Sequence, residues 1–434
     1  MLEYLHLTNV GPAPEMEFAL APRLNLLTGD NGLGKSFLLD CIWWALTRKW
    51  PRDVNGRLTS GYRALPRDVK AAASIRFRVE SQAGVVERES HFDRLEQSWS
   101  GQRGRPPNAG LVVYGHADGG FSVWDPARNY WKSRKGNDDV LAAVPAFVFS
   151  PQEVWDGLRM EVDGKETVLC RGLVDDWAIW IREAGDPAKN MAQILASLAA
   201  PGETIAMGPL RPLSMSDARD YPTLRVSYAP EPVRVIHASA GLRRVAALAY
   251  MLMWSWERHL AFADSQGLQR AHSVIVILDE IEAHLHPRWQ RSILRSVLGV
   301  AEKLHADAKL QIVASTHSPL VLASAEPVFD EETDKLFTLT MERGEVHLRV
   351  QPWAKQGDVV NWLVSDVFGL EQARSIEAER AIEAAEAWMR GASDELPPEL
   401  ATAETIDAEL KRVLAGHDDF WPRWVLWQRG IDAP

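Results

Sequence analysis

Residues 29–36 read Gly-Asp-Asn-Gly-Leu-Gly-Lys-Ser, a complete phosphate-binding loop of the form G-x-x-x-x-G-K-S. An apolar run over residues 24–27 predicts a strand before the loop, and residues 37–46 predict a helix after it. The glycines let successive backbone N–H groups face phosphate oxygens, Lys35 offers a positive charge to the β- and γ-phosphates, and the Ser36 hydroxyl can reach Mg²⁺. The predicted phosphate-binding residues are Gly29, Asp30, Asn31, Gly32, Leu33, Gly34, Lys35 and Ser36.

Five apolar residues, 274–278, lead directly into Asp279 and Glu280. The run predicts a buried strand, and the carboxyl ends of central strands are where an α/β sheet places its ligand-binding residues. Asp279 is therefore the candidate that holds Mg²⁺ together with Ser36, directly or through water. Glu280 is the candidate that polarises the attacking water. The alternative is a strand that simply ends in an acidic turn.

A second buried strand, 310–315, ends at Thr316-His317-Ser318. An imidazole at this strand end could hydrogen-bond a γ-phosphate, so His317 is a catalytic candidate. A lone histidine at a strand end is otherwise a structural residue. Its place, one helix and one strand after the acidic pair, favours the catalytic interpretation.

Buried strands and helices alternate through the second half of the chain, which predicts a parallel sheet covered on both faces. In the first half the pattern is typical of antiparallel strands. The expected elements are antiparallel strands at 72–80, 84–91, 110–116 and 120–124, a strand at 144–150, a helix over 172–199, a loop-rich segment at 201–222, helices at 240–261 and 288–304, and a hairpin at 335–350.

The composition of the chain restricts the partners, the metal sites and the cellular location that are expected. The net charge of −11 over 434 residues argues against a surface that binds nucleic acid everywhere, although a local basic groove remains compatible with it. Cys41 and Cys170 are the two cysteines, so neither a disulfide framework nor a thiolate metal site is expected. No run of about 18 uninterrupted apolar residues and no secretion signal is visible, and a cytoplasmic protein without a membrane partner is expected.

The phosphate loop, the acidic pair and His317, in this order, resemble the heads of ABC-type ATPases, in particular the branch with RecF, the SMC proteins and the OLD-like ATPases. The opening residues 5–12, Leu-His-Leu-Thr-Asn-Val-Gly-Pro, look like the first strand of that branch, and residues 279–287 look like its Walker B motif and D-loop. The resemblance implies ATP and Mg²⁺ as cofactors and ATP hydrolysis to ADP and phosphate as the reaction.

Within that resemblance two weaker motifs can be placed. Gln152 follows a predicted strand where the family carries its Q-loop contact to metal and water. Ser239 and Gly241 open a helix where the family has its signature motif, and a helix N-terminus attracts phosphate. Ser239 is also a plausible N-cap with no further role. The family's signature covers ATP bound to the other protomer, so the resemblance implies a head-to-tail homodimer; the sequence at 239–244 departs from the Leu-Ser-Gly-Gly-Gln of transporters.

The expected fold class is α/β, an ABC-ATPase head with a parallel core sheet that carries the phosphate loop, an antiparallel β subdomain, a helical insertion and a helical C-terminal tail. The predicted boundaries are an N-terminal lobe at 1–155, an insertion at 156–225, a C-terminal lobe at 226–352 and a tail at 353–434. The insertion lacks long heptads, so no extended coiled-coil arm is expected. His272, His284 and His286 lack the spacing of a zinc site.

The tail looks similar to the tails of compact stand-alone ATPases in bacterial antiphage systems such as Septu and retron-linked systems. No Asp-x-Asp pair follows His317 and no HNH arrangement occurs, so the chain itself is not expected to be a nuclease. The first functional hypothesis is therefore an ATPase that controls a separately encoded effector nuclease, such as an HNH protein.

Two other hypotheses stay open. A RecF-like DNA-repair ATPase would bind duplex DNA directly, and a scaffold would hold ATP without turning it over. DNA binding would draw on basic residues that could meet phosphates, although a solvated basic face is an equal interpretation. These residues are Arg48, Lys49, Arg52, Arg57, Arg63, Arg67, Lys70, Arg103, Arg105, Lys132, Arg134 and Lys135.

Overall fold

The computed structural model describes residues 1–100, 106–129, 144–162, 165–304, 308–392, 394 and 396–429. The chain divides into two compact units, Met1–Val359 and Val360–Pro434. Among the described residues, no helix is both long enough and apolar enough to cross a membrane.

The first hundred residues build an antiparallel sheet and the strand that carries the phosphate loop. The sheet has the order β2-β1-β4-β5-β6, and β3 lies outside it. Along β4 the side chains of Ile75, Phe77 and Val79 are buried while Arg76 and Arg78 are exposed, the alternation of a sheet with one wet face. The elements are β1 (Leu2–Val10), β2 (Ala13–Ala19), β3 (Leu24–Gly29), α1 (Lys35–Thr47), α2 (Pro51–Val54), β4 (Ser74–Ser81), β5 (Gly84–Asp93) and β6 (Ser98–Trp99).

The middle of the chain contains more and shorter helices and strands than its sequence pattern predicted. The helix expected over 172–199 is two helices, because Ala184 adopts a left-handed φ of 50° and Gly185 follows it. The segment expected to be loop-rich carries several short strands. The elements are β7 (Leu111–Gly115), β8 (Phe121–Trp124), β9 (Phe147–Phe149), α3 (Pro151–Asp156), β10 (Leu158–Val162), β11 (Lys165–Cys170), α4 (Leu173–Glu183), α5 (Asp186–Leu198), β12 (Ile205–Met207), β13 (Arg211–Pro212), β14 (Asp220–Tyr221), β15 (Thr223–Val226) and β16 (Val233–Arg234).

The rest of the first unit alternates helices with buried strands, as expected. The hairpin predicted at 335–350 is confirmed, with Arg343 and Gly344 both at positive φ in its turn. The elements are α6 (Ala240–Gln266), β17 (Ser273–Leu278), α7 (Pro287–Gln290), α8 (Ile293–Leu304), β18 (Lys309–Ser315), α9 (Pro319–Ala325), β19 (Asp334–Glu342) and β20 (Glu345–Gln351).

One eight-stranded sheet joins both halves of the chain in the described part of the first unit, with the order β20-β19-β3-β18-β17-β7-β8-β9. Its centre is parallel, and every residue of β17 is buried, as in a sheet covered on both faces. The predicted α/β fold class with a parallel core sheet is therefore confirmed. β7 and β8 pair antiparallel as expected, but β7 also pairs in parallel with β17, so these two strands belong to the core sheet.

The main hydrophobic core forms around α1. This helix contacts β1 and β4 of the antiparallel sheet and β3, β7 and β18 of the core sheet, so it lies between the two sheets. Eleven of its thirteen residues are buried, including Trp43 and Trp44. Burial on all sides explains why residues 41–46 of this helix are apolar on every face rather than along one stripe.

The second unit is a small helical body with its own core. Its buried residues include Ala385, Ile406, Leu410 and Trp424. Ile406 and Leu410 are four residues, about one helical turn, apart, so both side chains lie on the same face of one helix. The helices are α10 (Val359–Val364), which crosses the unit boundary, α11 (Ile376–Met389), α12 (Ala403–Val413) and α13 (Phe420–Gln428), with a 3₁₀ turn at Pro398–Leu400.

Candidate active site

Four adjacent parallel strands end at the same edge of the core sheet. Leu26 of β3 pairs with Ala314 of β18, Ala314 with Leu278 of β17, and Leu278 with Gly115 of β7. The phosphate loop, His317 and the acidic pair each follow one of these strands within three residues. The carboxyl edge of a parallel sheet is the usual place for a ligand in α/β proteins. The fold therefore brings together the three motifs that the sequence singled out.

The phosphate loop has a backbone that only glycine adopts without strain. Gly29, Gly32 and Gly34 have φ values of 132°, 79° and 101°. A Cβ at Gly29 would lie 2.2 Å from the carbonyl oxygen of Leu339 on β19, whereas a Cβ at Gly32 would meet nothing within 4 Å. The loop is thus held tightly at its base and open at its tip, where Asp30, Asn31 and Gly32 are exposed.

Lys35 lies at the base of the loop as the first residue of α1. Its Nζ donates hydrogen bonds of 2.8 Å to the carbonyl oxygens of Gly29 and Asp30. Burial lowers the pKa of Lys35, and the charges of Asp279 and Glu280 oppose that shift. The lysine therefore lies within the field of the acidic pair, as the phosphate-loop hypothesis requires.

Ser315, the last residue of β18, holds the acidic pair in place. Its hydroxyl donates to Asp279 Oδ1 at 2.6 Å and accepts the backbone N–H of Glu280 at 2.8 Å. The backbone N–H of Asp279 donates to Gly115 on the other side. Asp279 is buried, while Glu280 is partly exposed. Sequence reasoning did not single out Ser315, because a serine near a strand end carries no signal without the sheet order.

Glu280 adopts an unusual backbone. Its φ is 47°, in the left-handed region that glutamate rarely occupies. Such conformations persist where surrounding contacts impose them and are concentrated at functional sites. Here the bond to Ser315 and the bond from Ile281 N–H to the Ser315 carbonyl impose the turn. The strained turn directs the chain away from β17 immediately after Asp279.

His317 follows β18 between the phosphate loop and the acidic pair. Its backbone N–H donates to Glu282 Oε1 at 2.5 Å, and the residue is half-buried. Burial, assisted by the nearby charge of Lys35, lowers the pKa of the imidazole. The neutral imidazole is therefore favoured, and it can donate one hydrogen bond and accept another.

Gln152 stands apart from this group. It lies in the exposed first turn of α3, and its side-chain amide is 3.5 Å from Asp156 of the same helix. The preceding strand, β9, is three strands beyond β17, roughly 14 Å at the usual spacing of about 4.8 Å. On this side of β17 the adjacent strand is β7, not β9. The contact of Gln152 with metal and water stays a prediction.

The end of β7 carries polar residues that sequence reasoning missed. His116 is fully buried, its Nε2 is 2.8 Å from Ser122 Oγ, and burial lowers the pKa of its imidazole to about 3. Asp118 accepts hydrogen bonds from the hydroxyl and backbone N–H of Thr59 at 2.5 and 3.1 Å. Burial alone would raise the pKa of Asp118, but the bonds from Thr59 and Gly120 lower it. The sequence did carry a signal here, since the apolar run 111–114 is followed by Gly-His-Ala-Asp.

The predicted signature turn opens α6. Ser239 is its N-cap and accepts the N–H of Leu242 at 3.4 Å, and both Ser239 and Ala240 are exposed. The exposed turn borders a cavity of about 510 Å³ whose lining includes Gly241, His284 and Arg288. Ser239 therefore caps the helix, and the same turn also lines a cavity. Whether it contacts a nucleotide of a second protomer stays a prediction.

Arg244, one turn further along α6, connects this helix to the acidic strand. One guanidinium nitrogen donates to the carbonyl oxygen of Asp279 at 3.3 Å. A second nitrogen, Nη1, is buried and has no hydrogen-bond partner among the residues that the structure describes, and burial lowers the pKa of the guanidinium group. Sequence reasoning placed Arg244 in the signature segment but gave it no contact.

The donor set fits a nucleoside triphosphate with Mg²⁺. The open tip at Gly32, the Lys35 ammonium and the N-terminus of α1 offer positive charge and free N–H groups to phosphates. The Ser36 hydroxyl and the Asp279 carboxylate are hard oxygen ligands of the kind that Mg²⁺ takes. Among the described residues, the cluster of three metal-ligating side chains is Glu371, Glu379 and Glu383, so His272, His284 and His286 do not form one.

The basic residues proposed for DNA largely make internal contacts. The guanidinium of Arg48 lies over the ring of Trp44, at 4.3 Å from its centroid. Arg57 pairs with Glu153 at 2.9 Å and Arg63 with Asp53 at 2.7 Å. In addition, Arg52 donates to the carbonyl of Leu58 and Arg67 to that of Pro12. Arg103, Arg105, Lys132, Arg134 and Lys135 lie outside the described residues.

Comparisons with known proteins agree with this site. A family model described as "AAA domain" matches residues 4–105, and one described as "AAA domain, putative AbiEii toxin, Type IV TA system" matches residues 257–323. The chain is 20% identical to Septu protein PtuA of Bacillus thuringiensis over 387 residues, which are 86% of each chain. The chain is thus similar to AAA domains over the two segments that carry its motifs, and to a Septu protein over most of its length. The two family matches contain the phosphate loop, the acidic pair and His317.

Two further likenesses are more limited. Over 50 residues, 12% of this chain and 9% of the relative, the chain is 42% identical to the "Retron Vc95 probable ATPase" of Vibrio cholerae serotype O1 biovar El Tor. A crystal structure of the SmcHead bound to the C-winged helix domain of ScpA aligns with a TM-score of 0.43 and 12% identity, covering 81% of this chain and 97% of that one.

Proposed function

We propose that this chain binds and hydrolyses ATP, dimerises head to tail around it, and controls a separately encoded effector nuclease in antiphage defence. The observation that carries the proposal is the single row of strand ends that brings the phosphate loop, His317 and the acidic pair together. Similarity to a Septu protein over 86% of both chains supports the defence role.

Each residue has a role in this proposal that its surroundings support. Lys35 and the loop N–H groups bind the β- and γ-phosphates, and Ser36 and Asp279 hold Mg²⁺. Mg²⁺, when bound, neutralises charge on the phosphate oxygens. Glu280 accepts a proton from, or orients, the attacking water, because it is the partly exposed carboxylate next to Asp279. His317, kept neutral, hydrogen-bonds the γ-phosphate.

Hydrolysis is tested with the purified chain, MgATP and phosphate release. Glu280→Gln should keep nucleotide binding, lower turnover by at least about 100-fold and accumulate a nucleotide-bridged dimer, because a positioned base supplies rate and not affinity. Lys35→Ala should abolish nucleotide binding. Near-normal turnover in Glu280→Gln would show that Glu280 is not the base.

Dimerisation is tested separately with Ser239→Arg. The exposed N-cap position accepts a long side chain without disturbing the core, so the monomer should still bind ATP. The ATP-dependent dimer, measured by light scattering in the Glu280→Gln background, should disappear. Unchanged dimer in that variant would refute the composite site.

The effector is tested by co-expressing the chain with its genomic neighbours and identifying what co-purifies. A nuclease that co-elutes, and whose activity differs between wild type and Glu280→Gln, supports the proposal. A chain that purifies alone and cleaves or binds duplex DNA by itself contradicts it.

The RecF-like alternative predicts salt-dependent duplex binding by the chain alone. The internal contacts of Arg48, Arg57 and Arg63 do not favour it, because these guanidinium groups already have partners. Fluorescence anisotropy with a labelled duplex at two salt concentrations distinguishes the two functions.

A further inference from the structure

We propose that Glu282 and Gln290 are positioning residues for hydrolysis, which clamp the loop 316–318 and thereby fix His317 at the end of β18. The inference rests on the proposed function and concerns two residues outside its set of phosphate, metal and base residues. The clamp is defined here as the two side chains Glu282 and Gln290.

The first half of the clamp is Glu282. Its Oε1 accepts the backbone N–H of His317 at 2.5 Å, which is short for an N–H···O bond. Its Oε2 is buried and has no hydrogen-bond partner among the described residues. A buried carboxylate with one unsatisfied oxygen is destabilising by itself. Its presence beside a catalytic candidate, where a neutral side chain would fold more easily, points to a role in the reaction.

The second half is Gln290, at the end of α7. Its Oε1 accepts the hydroxyl of Ser318 at 2.7 Å, and its Nε2 donates to the carbonyl of Leu285 at 2.9 Å. Both ends of this amide are therefore used, one on the loop and one on the segment after the acidic pair. A side chain of the wrong length or polarity at position 290 would leave two buried polar groups unpaired.

The loop between these contacts is held on its other side by the phosphate-loop strand. The backbone N–H of Thr316 donates to the carbonyl of Leu27, and Thr316 Oγ1 accepts the N–H of Ser318 at 3.0 Å. The backbone N–H groups of residues 316, 317 and 318 thus all have partners. The imidazole of His317 makes no hydrogen bond with the described residues, so it can meet a ligand, and the clamp sets where it points.

A positioning role has a kinetic signature. In the described part of the chain, no hydrogen bond joins the clamp to the phosphate loop or to the candidate Mg²⁺ ligands, so breaking it should lower kcat and leave KM for ATP nearly unchanged. Glu282→Gln keeps a carbonyl oxygen for the His317 N–H and should lower kcat by no more than about threefold. Glu282→Leu removes the acceptor and should lower kcat by at least about tenfold, since misplacing a catalytic group by about 1 Å can lower the rate 100-fold.

The deciding experiment is a double-mutant cycle on kcat with Glu282→Leu and His317→Ala, together with the melting temperature of each variant. We expect the double variant to be no slower than His317→Ala alone, because a clamp without its histidine has nothing to position. Glu326→Leu is the matched control, since Glu326 Oε1 accepts the backbone N–H of Gln356 and Gly357 away from the site. It should lower stability and leave kcat unchanged.

If the kcat losses of Glu282→Leu and His317→Ala multiply in the double variant, the two residues act independently and the clamp proposal is wrong. An equal loss of kcat in Glu282→Gln and Glu282→Leu would also contradict it. If Glu282→Leu does not fold, Gln290→Leu with His317→Ala completes the same cycle with the same two readings. Failure of the proposed function would look different, because wild type would then release no phosphate or His317→Ala would turn over ATP at the wild-type rate.

Discussion

The first turn of α6 lies so close to the segment after the acidic pair that a Cβ at Gly241 would stand 3.0 Å from the carbonyl oxygen of His284. This separation is shorter than ordinary van der Waals contact. The predicted signature turn and the predicted D-loop are therefore one packed surface within a protomer. A side chain at position 241 would push them apart.

Gly241→Ala should weaken the ATP-dependent dimer while sparing nucleotide binding by the monomer. Overpacking at a tight contact is destabilising by about 1–3 kcal/mol, and the same cost in the dimer would raise its dissociation constant roughly 5- to 150-fold. Sedimentation equilibrium in the Glu280→Gln background measures it. Gly299→Ala is the matched control, because a Cβ there meets nothing within 4 Å and the substitution favours the helix. Equal effects of the two alanines would contradict the prediction.

Ser315→Ala should lower kcat by about 10- to 100-fold with little change in KM. The substitution removes the hydroxyl that holds Asp279 Oδ1 at 2.6 Å and the N–H of Glu280 at 2.8 Å. Glu280 then loses one of the contacts that hold it at positive φ, and positional errors in a base reduce rate more than affinity. Steady-state kinetics checks this. Ser324→Ala, which removes a hydroxyl bonded to the Val321 carbonyl in α9, should leave kcat unchanged.

The buried imidazole of His116 should make stability fall as the pH falls from about 7 toward 5. Burial lowers the pKa of His116 from 6.5 to about 3. Between these two pH values the imidazole is protonated in the unfolded chain and neutral in the folded chain. The neutral ring stabilises the fold fully above pH 6.5, and the contribution declines below it by at most about 1.4 kcal/mol per pH unit. Urea unfolding at several pH values measures the slope, and His116→Gln should reduce it. A slope that is the same in His116→Gln would assign the effect to other groups.

The elements that carry the candidate site residues could be predicted from the sequence. Which elements lie next to one another in the fold could not. Long apolar runs such as 274–278 and the glycine pattern at 29–36 are local signals, and both were confirmed as strand and loop. The order β3-β18-β17-β7 is not local, since its β3–β18 and β17–β7 pairings join residues more than 150 positions apart. For that reason Ser315 and Glu282 were missed, although Ser315 bonds Asp279 and Glu282 bonds His317, both of which the sequence did identify.

The charged partners of the arginines also could not be predicted from the sequence. The arginines between residues 48 and 67 have the composition of a nucleic-acid surface, yet Arg57 and Arg63 pair with Glu153 and Asp53. Glu153 is 96 residues from Arg57, so the neutralising partner could not be recognised from composition. A charge cluster in the sequence therefore indicates a surface only when its partners are known.

Under the proposed function, α13 of the second unit is the candidate contact surface for the effector. Residues 360–434 hold fifteen acidic and seven basic residues, so this short segment carries −8 of the chain's net charge of −11. On α13, Val425 and Trp427 are 37% and 36% exposed, and the ring of Trp427 stacks on that of Trp424 at 5.5 Å. Exposed aromatic residues within a field of one sign are typical of interaction sites.

Val425→Ser with Trp427→Ser should therefore abolish co-purification of the effector and leave ATP turnover unchanged. Both side chains lie outside the core of the second unit, and neither belongs to the phosphate, metal or base residues. The matched control is Ile376→Ser, since Ile376 is 80% exposed at the start of α11. Quantitative pull-down from co-expressing cells, with phosphate release measured on the same samples, checks both parts. Retention of the effector by the double serine variant would exclude α13 as its contact, and a loss of turnover would show instead that the second unit supports the first.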